Sequence, residues 1–283
     1  MSAVLKSPTA NQIRAREDRG RWWRFLLVLV ITVVTLVPIG VVALLSLLPS
    51  STSTTTGVTF ENFTKVFRDT LATTWISNSL ITTGVTVLVS VAVAAPAGYV
   101  LSRGRSRVVS SYSLLLFVLQ SLPIITSVVP LFILFANFGL ADSLTGLTIV
   151  YVAATMAVAT WMMAAYFDSI PVSLEEAAWI DGLSVFGSFL RVVLRNSLPG
   201  VLSTAIFAFL LSWNDYLVAL VFLRSDVKFT LPIGVQSFFQ QNATDWGSVM
   251  ALAVVMMLPP VIVFVGLNKY FSVGGIGGSL AGR

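Results

Sequence analysis

The chain has 283 residues, of which 56% are hydrophobic and only 10% are charged, and its mean hydropathy is +0.91. Because soluble domains carry about 25% charged residues, this composition excludes a soluble globular protein and indicates an integral membrane protein. The sequence contains neither cysteine nor histidine, which excludes disulfides, thiolate or imidazole metal sites, and catalytic cysteine or histidine.

Six apolar segments are long enough to cross a bilayer as helices, since crossing the hydrocarbon core takes about 20 apolar residues. Trp22 and Trp23 precede the first segment, where interfacial aromatic residues are expected. The sequence therefore predicts an all-α integral membrane protein with six transmembrane helices. Their predicted positions are residues 25–48, 76–101, 111–135, 145–167, 199–223 and 248–271.

The lysines and arginines are concentrated on alternate connections. The N-terminal arm (residues 1–24), the connections after spans two and four, and the C-terminal end hold 13 of the 17 basic residues. By the positive-inside rule, both termini and the polar connection after span four are predicted to be cytoplasmic. The net charge of +5 therefore reflects topology and does not indicate a nucleic-acid partner. A membrane domain is predicted at residues 25–271 and a cytoplasmic glycine-rich tail at residues 272–283.

The connection between spans four and five, hereafter the insert (residues 168–199), has the pattern of two short helices. Ser173 and Glu176 form a capping-box pattern, which predicts that a helix begins at Ser173. Gly182 can adopt the left-handed conformation that ends a helix, and a second helix is predicted near Ser184. That helix carries an apolar stripe able to pack on the bundle: Phe186, Phe189, Leu190, Val193 and Leu194. The residues alone leave open whether the insert docks another protein or is a solvated loop.

The first half of the insert resembles the EAA loop of ABC importer permeases. Glu176-Ala177-Ala178 is followed after three residues by Gly182, with apolar Val192 and Leu194 further on. The resemblance implies a coupling helix that seats in a cleft of an ATPase subunit and transmits its closure to the membrane helices. The implied ATPase-coupling residues are Glu175, Glu176, Ala177, Ala178, Asp181 and Gly182. Arg195 stands where the family usually has proline, so the exit direction of the second helix is open.

Further stretches resemble the carbohydrate-type permeases of this family: residues 96–103, the motif Trp213-Asn214-Asp215-Tyr216, residues 230–234 and 245–247, and the end from 269 to 282. Together they resemble the smaller permease of a maltose-type sugar importer, with the type I permease fold. The resemblance implies a second homologous permease, two P-loop ATPase subunits that bind ATP and Mg, and an external sugar-binding protein. It also implies residence among lipid in a bacterial or archaeal inner membrane. No cofactor or metal is expected in this chain itself.

Asp215 is the only acidic residue within a predicted span. An acid at that depth costs about 2.5–3.5 kcal/mol on insertion scales, so it is expected to face the bundle or a watery cavity. With Trp213, Asn214 and Tyr216 it offers hydrogen bonds and aromatic faces that suit a sugar in the translocation path. The alternative is a polar clasp between helices without a substrate role.

Prolines interrupt two other predicted spans. Pro123 and Pro130 lie in span three, and Pro259 and Pro260 lie in span six. Each proline removes a backbone hydrogen bond and can kink a helix. These positions are either hinges that line a gated path or packing kinks of the kind that membrane helices tolerate.

The connection before span six carries a group of aromatic and amide residues: Phe238, Phe239, Gln240, Gln241 and Asn242. By resemblance, this external loop contacts the binding protein and helps to release sugar from it. The alternative is a passive lid on the bundle. The glycine-rich tail is likewise either a flexible end or, by resemblance, a segment that threads between the ATPase subunits.

No Gly-x-x-x-x-Gly-Lys-Ser/Thr phosphate loop occurs in the sequence, so the chain is expected to be a transport subunit and not an enzyme. ATP hydrolysis would then reside on another polypeptide and drive alternating access. One rival is a secondary transporter, for which Asp215 is the only intramembrane acid. The other is an intramembrane enzyme, which would need paired catalytic groups that one aspartate without histidine does not supply.

Overall fold

The computed structural model describes residues 21–49, 57–239 and 245–275, and the regular secondary structure of these ranges is entirely helical. This follows from the long apolar segments, because backbone groups in lipid must find their hydrogen-bond partners within the segment. A π-helical segment spans Phe189–Val193, and a 3-10 turn spans Asp226–Lys228. The helices in chain order are α1 (Arg21–Ser46), α2 (Glu61–Asp69), α3 (Ala72–Arg103), α4 (Arg107–Ser121), α5 (Ile124–Asn137), α6 (Leu144–Asp168), α7 (Val172–Ile180), α8 (Val185–Ser188), α9 (Leu194–Asn196), α10 (Leu198–Trp213), α11 (Leu217–Phe222), α12 (Leu231–Gln236) and α13 (Trp246–Gly275).

Four helices of the described chain are long and apolar enough to cross a membrane, and two bent pairs bring the candidate spans to as many as six. The four are α1, α3, α6 and α13, which correspond to predicted spans one, two, four and six. Predicted span three is broken, because α4 and α5 meet at 94°. The break lies at Leu122 and Pro123, where the proline has no N–H to continue the helix. Pro130, by contrast, lies inside α5, and Pro259 and Pro260 lie inside α13, so these prolines interrupt neither helix. The predicted interruption of span six is therefore wrong.

The predicted span at residues 199–223 is also not a single helix. Helix α10 ends at Trp213, residues 214–216 are not helical, and α11 begins at Leu217. Asp215 accepts a hydrogen bond from the backbone N–H of Ala219 at 3.0 Å, so its carboxylate satisfies a donor at the start of α11. The acid therefore lies at a break in the span and not in the middle of a continuous helix.

Helices α3 and α6 form the most extensively packed pair, and α10 packs against both of them. Small residues allow this close approach. A Cβ atom on Gly98 of α3 would lie 2.7 Å from the Met163 side chain and 2.9 Å from the Thr160 carbonyl oxygen of α6. The hydroxyls of Ser90 and Thr155 are buried and 2.7 Å apart across the same contact. This three-helix centre carries the insert at one end and the Asp215 region towards the other.

The end of the bundle opposite the insert is closed by the chain after α11. Trp75 Nε1 of α3 donates to the Asp226 carbonyl at 2.8 Å. Asn78 Nδ2 donates to the carbonyls of Val227 and Phe229 at 3.0 and 2.9 Å. These side chains donate to backbone carbonyls of the segment after α11 and hold that segment across the end of α3.

Helix α1 is the least buried of the long helices. None of its most apolar 18-residue window is buried, and only Ser46 at its end is buried. It contacts the rest of the described chain mainly through α13. An apolar surface of this size must be covered by lipid or by another protein.

Candidate functional site

The insert folds as two short helices around a glycine turn. Gly182 has φ of +91°, and the Ser184 Oγ accepts from the Gly187 N–H at 3.1 Å where α8 begins, so both predictions are confirmed. The predicted capping box is wrong, because α7 begins at Val172 without a side-chain cap. Pro171 takes the N-cap position with φ of −59° and ψ of 130°, which places Ser173 inside the first turn.

Helix α7 turns apolar side chains outwards and an acid inwards. Trp179 and Ile180 are 40% and 87% exposed, whereas Glu175 is 1% exposed. A helix on a solvated surface shows the opposite arrangement, with charges outside and apolar groups inside. The exposed side chains of Glu176, Ala177, Trp179 and Ile180 are hereafter the α7 face.

The six predicted coupling residues therefore divide into two groups. Four are exposed: Glu176, Ala177, Asp181 and Gly182. Glu175 and Ala178 are buried within this chain. The side chain of Glu175 is consequently not available to a separate protein, although the side chains of its neighbours are.

Glu175 joins α7 to the end of α3. The Glu175 carboxylate accepts from Arg103 Nε at 2.7 Å and from the Tyr99 hydroxyl at 2.5 Å. Arg103 also donates to the Ile170 carbonyl at 3.0 Å, and the adjacent Ser102 hydroxyl donates to Asp168 at 2.5 Å. Sequence reasoning noted residues 96–103 only as a family-like stretch and missed this role, because the partners lie more than 60 positions apart.

The apolar stripe of the second helix divides between burial and exposure. Phe189 and Val193 are buried against Ala94, Met163 and Phe167 of α3 and α6, as predicted for a stripe that packs on the bundle. Phe186 and Leu190 remain 67% and 45% exposed. They line one side of an apolar groove of about 500 Å³ whose other wall is α3.

Arg195 lies inside α9 and does not bend it. The chain turns two residues later, at Ser197, where the run from Val185 to Asn196 meets α10 at 77°. A Cβ atom on Gly200 would lie 2.3 Å from the Tyr166 ring, so the first turn of α10 is pressed against α6. The exit direction left open by the sequence is therefore set by this turn.

The motif Trp213-Asn214-Asp215-Tyr216 does not gather into one binding site. Trp213 is 1% exposed, donates from Nε1 to the Met256 carbonyl at 3.1 Å and stacks on Phe209. Asn214 is exposed and donates back to the Leu210 carbonyl at 2.9 Å. Asp215 accepts from the Tyr151 hydroxyl of α6 at 2.8 Å, and Tyr216 is half-buried.

Of the predicted external loop, Phe238 and Phe239 lie within the described residues. Phe238 packs edge-on against Trp75 at a centroid distance of 6.3 Å, and the 47% exposed Phe239 contacts Trp246 at 5.7 Å. Gln240, Gln241 and Asn242 lie outside the described residues. Helix α13 extends to Gly275, and residues 276–283 of the predicted tail also lie outside.

Two carboxylates at the end opposite the insert were not singled out from the sequence. Asp142, at a positive φ of 48°, accepts from the Ser225 hydroxyl at 2.5 Å, from the Arg224 and Ser225 amides at 2.8 and 3.1 Å, and from Lys228 Nζ at 3.1 Å. Burial alone would raise the pKa of the Asp142 carboxyl, but these hydrogen bonds outweigh it and hold the pKa well below its ordinary value. Asp142 thereby ties the α5–α6 loop to the segment after α11.

Asp245 connects α2 to the start of α13. Burial opposes ionisation, but the bonds from Lys65 at 2.6 Å and from the Ser248 hydroxyl at 2.8 Å lower the pKa of the Asp245 carboxyl. Within the described ranges, no group of three or more acidic residues is arranged to hold a metal ion.

The chain was compared with known proteins. Residues 90–273 match the protein family described as binding-protein-dependent transport system inner membrane component. The sulfoquinovosyl glycerol transport system permease protein SmoH of Agrobacterium fabrum is 32% identical over 79% of each chain. The trehalose/maltose transport system permease protein MalG of Thermococcus litoralis is 31% identical over 80% of this chain and 82% of its own.

Among solved structures, a bacterial ABC transporter involved in the import of the acidic polysaccharide alginate superposes with a TM-score of 0.75. The match covers 90% of this chain and 98% of that one at 22% identity, which bears on the fold. The all-α permease fold expected from the sequence is thereby confirmed. The family match covers well over half of the chain and includes the whole insert. The chain therefore belongs to the binding-protein-dependent transport system inner membrane components, and it is the membrane permease subunit of an ABC importer.

Proposed function

We propose that this chain is one of two homologous permeases of a carbohydrate importer and that separate P-loop ATPase subunits drive it by alternating access. The substrate class is supported by relatives at about 30% identity, which are named for trehalose and maltose and for sulfoquinovosyl glycerol. The ATPase subunits would hold ATP and Mg, and an external binding protein would deliver the sugar.

The observation that carries this proposal is the α7 face. A largely apolar face with small Ala177 at its middle, on a helix that turns Glu175 inwards and leaves only Glu176 as a charge on the face, is suited to close contact with a protein surface. Contact with an ATPase at this face requires that the insert and both termini be cytoplasmic, as the distribution of basic residues predicts. The exposed surface of α1 supports contact with lipid and a second permease.

The hydrogen bonds of Asp215 favour a structural role over a sugar contact. Both of its oxygens are used within the chain, by Tyr151 and by backbone N–H groups of α11. We therefore place the principal substrate contacts outside this motif. The proposed role of Phe238 to Asn242 in contacting the binding protein stays a prediction.

The test is affinity purification of the tagged chain from its native membrane, with wild type beside Ala177→Glu and Ala177→Ser. The glutamate adds bulk and charge where close approach is needed, whereas serine preserves the small size. Wild type and Ala177→Ser are expected to recover a P-loop ATPase and a second permease. Ala177→Glu is expected to lower ATPase recovery about tenfold, which corresponds to ~1.4 kcal/mol of binding free energy.

Substrate class is tested on the recovered complex in proteoliposomes with its binding protein, using radiolabelled maltose and trehalose. Sugar uptake that requires ATP and does not change when a proton or sodium gradient is imposed supports the proposal. Gradient-driven uptake without any ATPase would establish the secondary-transporter alternative. Equal ATPase recovery with Ala177→Glu would show that α7 is not the docking site.

A further inference from the structure

We infer that the ion pair between Arg103 and the buried Glu175 is the positioning link that makes α7 and α3 move as one body. This inference rests on the proposed function, because it concerns how movement of an ATPase at the α7 face reaches the membrane helices. Neither residue touches substrate or nucleotide in this role. Both act through the orientation of α7 relative to α3.

The need for such a link arises from the packing of the insert. Helix α7 packs closely with α8 and with the π-helical segment, and it has no comparably extensive contact with α3 in the described chain. A force applied to the α7 face would therefore tilt α7 unless long side chains bridge the gap. The bridge that the structure provides consists of Arg103, Tyr99 and Glu175.

The geometry of the pair is that of a rigid connector. Arg103 Nε and Nη2 both lie 2.7 Å from Glu175 Oε1, and Nη2 also donates to the Ile170 carbonyl at 3.0 Å. The guanidinium plane is thus fixed by one contact before Pro171 in the chain, at the Ile170 carbonyl, and by one after it, at the Glu175 carboxylate. The Arg103 side chain is 19% exposed and the Glu175 side chain 1%, so water and salt screen the pair little. A planar, forked donor fixes direction in a way that a lysine ammonium does not.

Tyr99 extends the link to the second helix of the insert. Its hydroxyl donates to Glu175 Oε2, and its ring lies 4.8 Å from the ring of Phe189 in the π-helical segment. The last two turns of α3 therefore hold both halves of the insert. A buried charge whose partner is removed is costly, which explains why the acid at this position is fully enclosed by donors.

The experiment measures the distance between α7 and α3 in the assembled complex. The chain has no cysteine, so Ser173→Cys and Leu88→Cys supply its only two spin-label sites. Both positions are exposed, and residue 88 lies about 22 Å along α3 from Arg103. Double electron–electron resonance is recorded without nucleotide and with ATP plus vanadate. Wild type is expected to give one narrow distance that is the same in both states.

Glu175→Gln and Arg103→Gln are each expected to lose the narrow peak while the complex still recovers its ATPase and hydrolyses ATP. Arg103→Lys keeps the charge and is expected to give an intermediate width. Arg105→Gln is the matched control, because it makes the same change at an exposed arginine two residues further along, just after the end of α3. It should leave the distance unchanged. A narrow, unchanged distance in Glu175→Gln would overturn the inference, as would a wild-type distance that changes with nucleotide.

The double variant Arg103→Met/Glu175→Gln distinguishes a positioning role from a merely stabilising one, because it leaves neither charge of the pair. Its thermal stability should recover relative to either single variant, because no unpaired ion remains, whereas its distance distribution should stay broad. If the double variant recovered both the thermal stability and the narrow distance distribution, the ion pair would be only a stabilising contact. If Glu175→Gln yields no complex, Arg103→Lys decides, since it keeps the charge and removes only the forked donor: a distance as narrow as that of wild type would overturn the inference. A wild type that recovers no ATPase would refute the proposed function instead, which is a different outcome.

Discussion

Replacing Asp142 by asparagine should loosen the end of the bundle opposite the insert without disturbing its backbone. Asp142 has a positive φ of 48°, a conformation that asparagine tolerates well. Its N–H donates to the Phe222 carbonyl at 3.0 Å, and this bond does not depend on the side chain. The substitution therefore removes the charge and one acceptor oxygen and little else.

The magnitude follows from the carboxylate's bonds. Asparagine keeps one oxygen for the Arg224 and Ser225 amides, but it presents an NH₂ group to Lys228 and to the Ser225 hydroxyl, and it loses the charge that strengthens every bond. Hydrogen bonds to charged groups contribute about 1.5–3 kcal/mol. The Lys228 side chain is 44% exposed, so its share is below about 1 kcal/mol. We expect a net loss of about 1–2 kcal/mol at pH 7.

The pH dependence has a definite sign. Because the folded-state pKa of Asp142 lies below that of the unfolded chain, its stabilising contribution is complete above the unfolded value of about 3.9. It is lost as the pH falls from there through the folded-state pKa. The difference between wild type and Asp142→Asn should therefore be constant from pH 7 to pH 5 and shrink below about pH 4.

The assay is thermal unfolding of the purified complex followed by intrinsic fluorescence, at a series of pH values. Asp226→Asn is the matched control, because Asp226 is an exposed acid of the same segment. Asp142→Asn should melt a few degrees lower than wild type at pH 7, and the control should not. A difference that grows as the pH falls towards 3 would refute the reasoning, since it would require a raised pKa.

Two further substitutions test the membrane part of the bundle. Gly200→Ala places a Cβ atom 2.3 Å from the Tyr166 ring and should cost about 1–3 kcal/mol, whereas Gly84→Ala, with nothing within 4 Å, should be neutral or slightly stabilising in the same melting assay. Asp215→Ala removes the acceptor of the Tyr151 hydroxyl and the cap of α11, so it should lower stability by about 1–3 kcal/mol while transport by the assembled complex persists. A stable, assembled but inactive Asp215→Ala complex would assign a substrate role to this acid.

The helices of the insert show what local patterns can predict. Gly182 and Ser184 were identified correctly, because a left-handed turn and a side-chain cap depend on residues only a few positions away. The capping box at Ser173 failed for an equally local reason, since Pro171 precedes it and takes the N-cap position. Hydropathy likewise located the helices and bent pairs of the described residues that are candidate membrane spans.

Breaks within spans were only partly predictable. Pro123 indicated the break in span three, because proline changes the backbone directly. The break at Asp215 was missed, because one polar residue among apolar ones hardly changes an average over about 20 positions. Its effect depends on a carboxylate that can accept the N–H of Ala219 and the hydroxyl of Tyr151 together.

Glu175 and Glu176 show the limit of the sequence most clearly. The two residues are adjacent and chemically identical, and the family resemblance placed both in the coupling site. Their fates differ because Arg103 and Tyr99, more than 70 positions earlier, reach only the first of them. A single sequence contains no signal for a contact at that separation, so the inward and outward faces of α7 could not be assigned before the structure.

Three of the acids with structural partners share one property. Asp142, Glu175 and Asp215 each accept hydrogen bonds from an element distant in sequence, at a place where the backbone leaves or re-enters a helix. A chain with only 10% charged residues has few ways to orient such junctions, because apolar contacts are not directional. Charge-assisted bonds supply that direction. Neutralising any of these acids should therefore alter the angle between two elements before it unfolds either one. For Glu175 the two elements are α7, which carries the α7 face, and α3, which is a candidate membrane span.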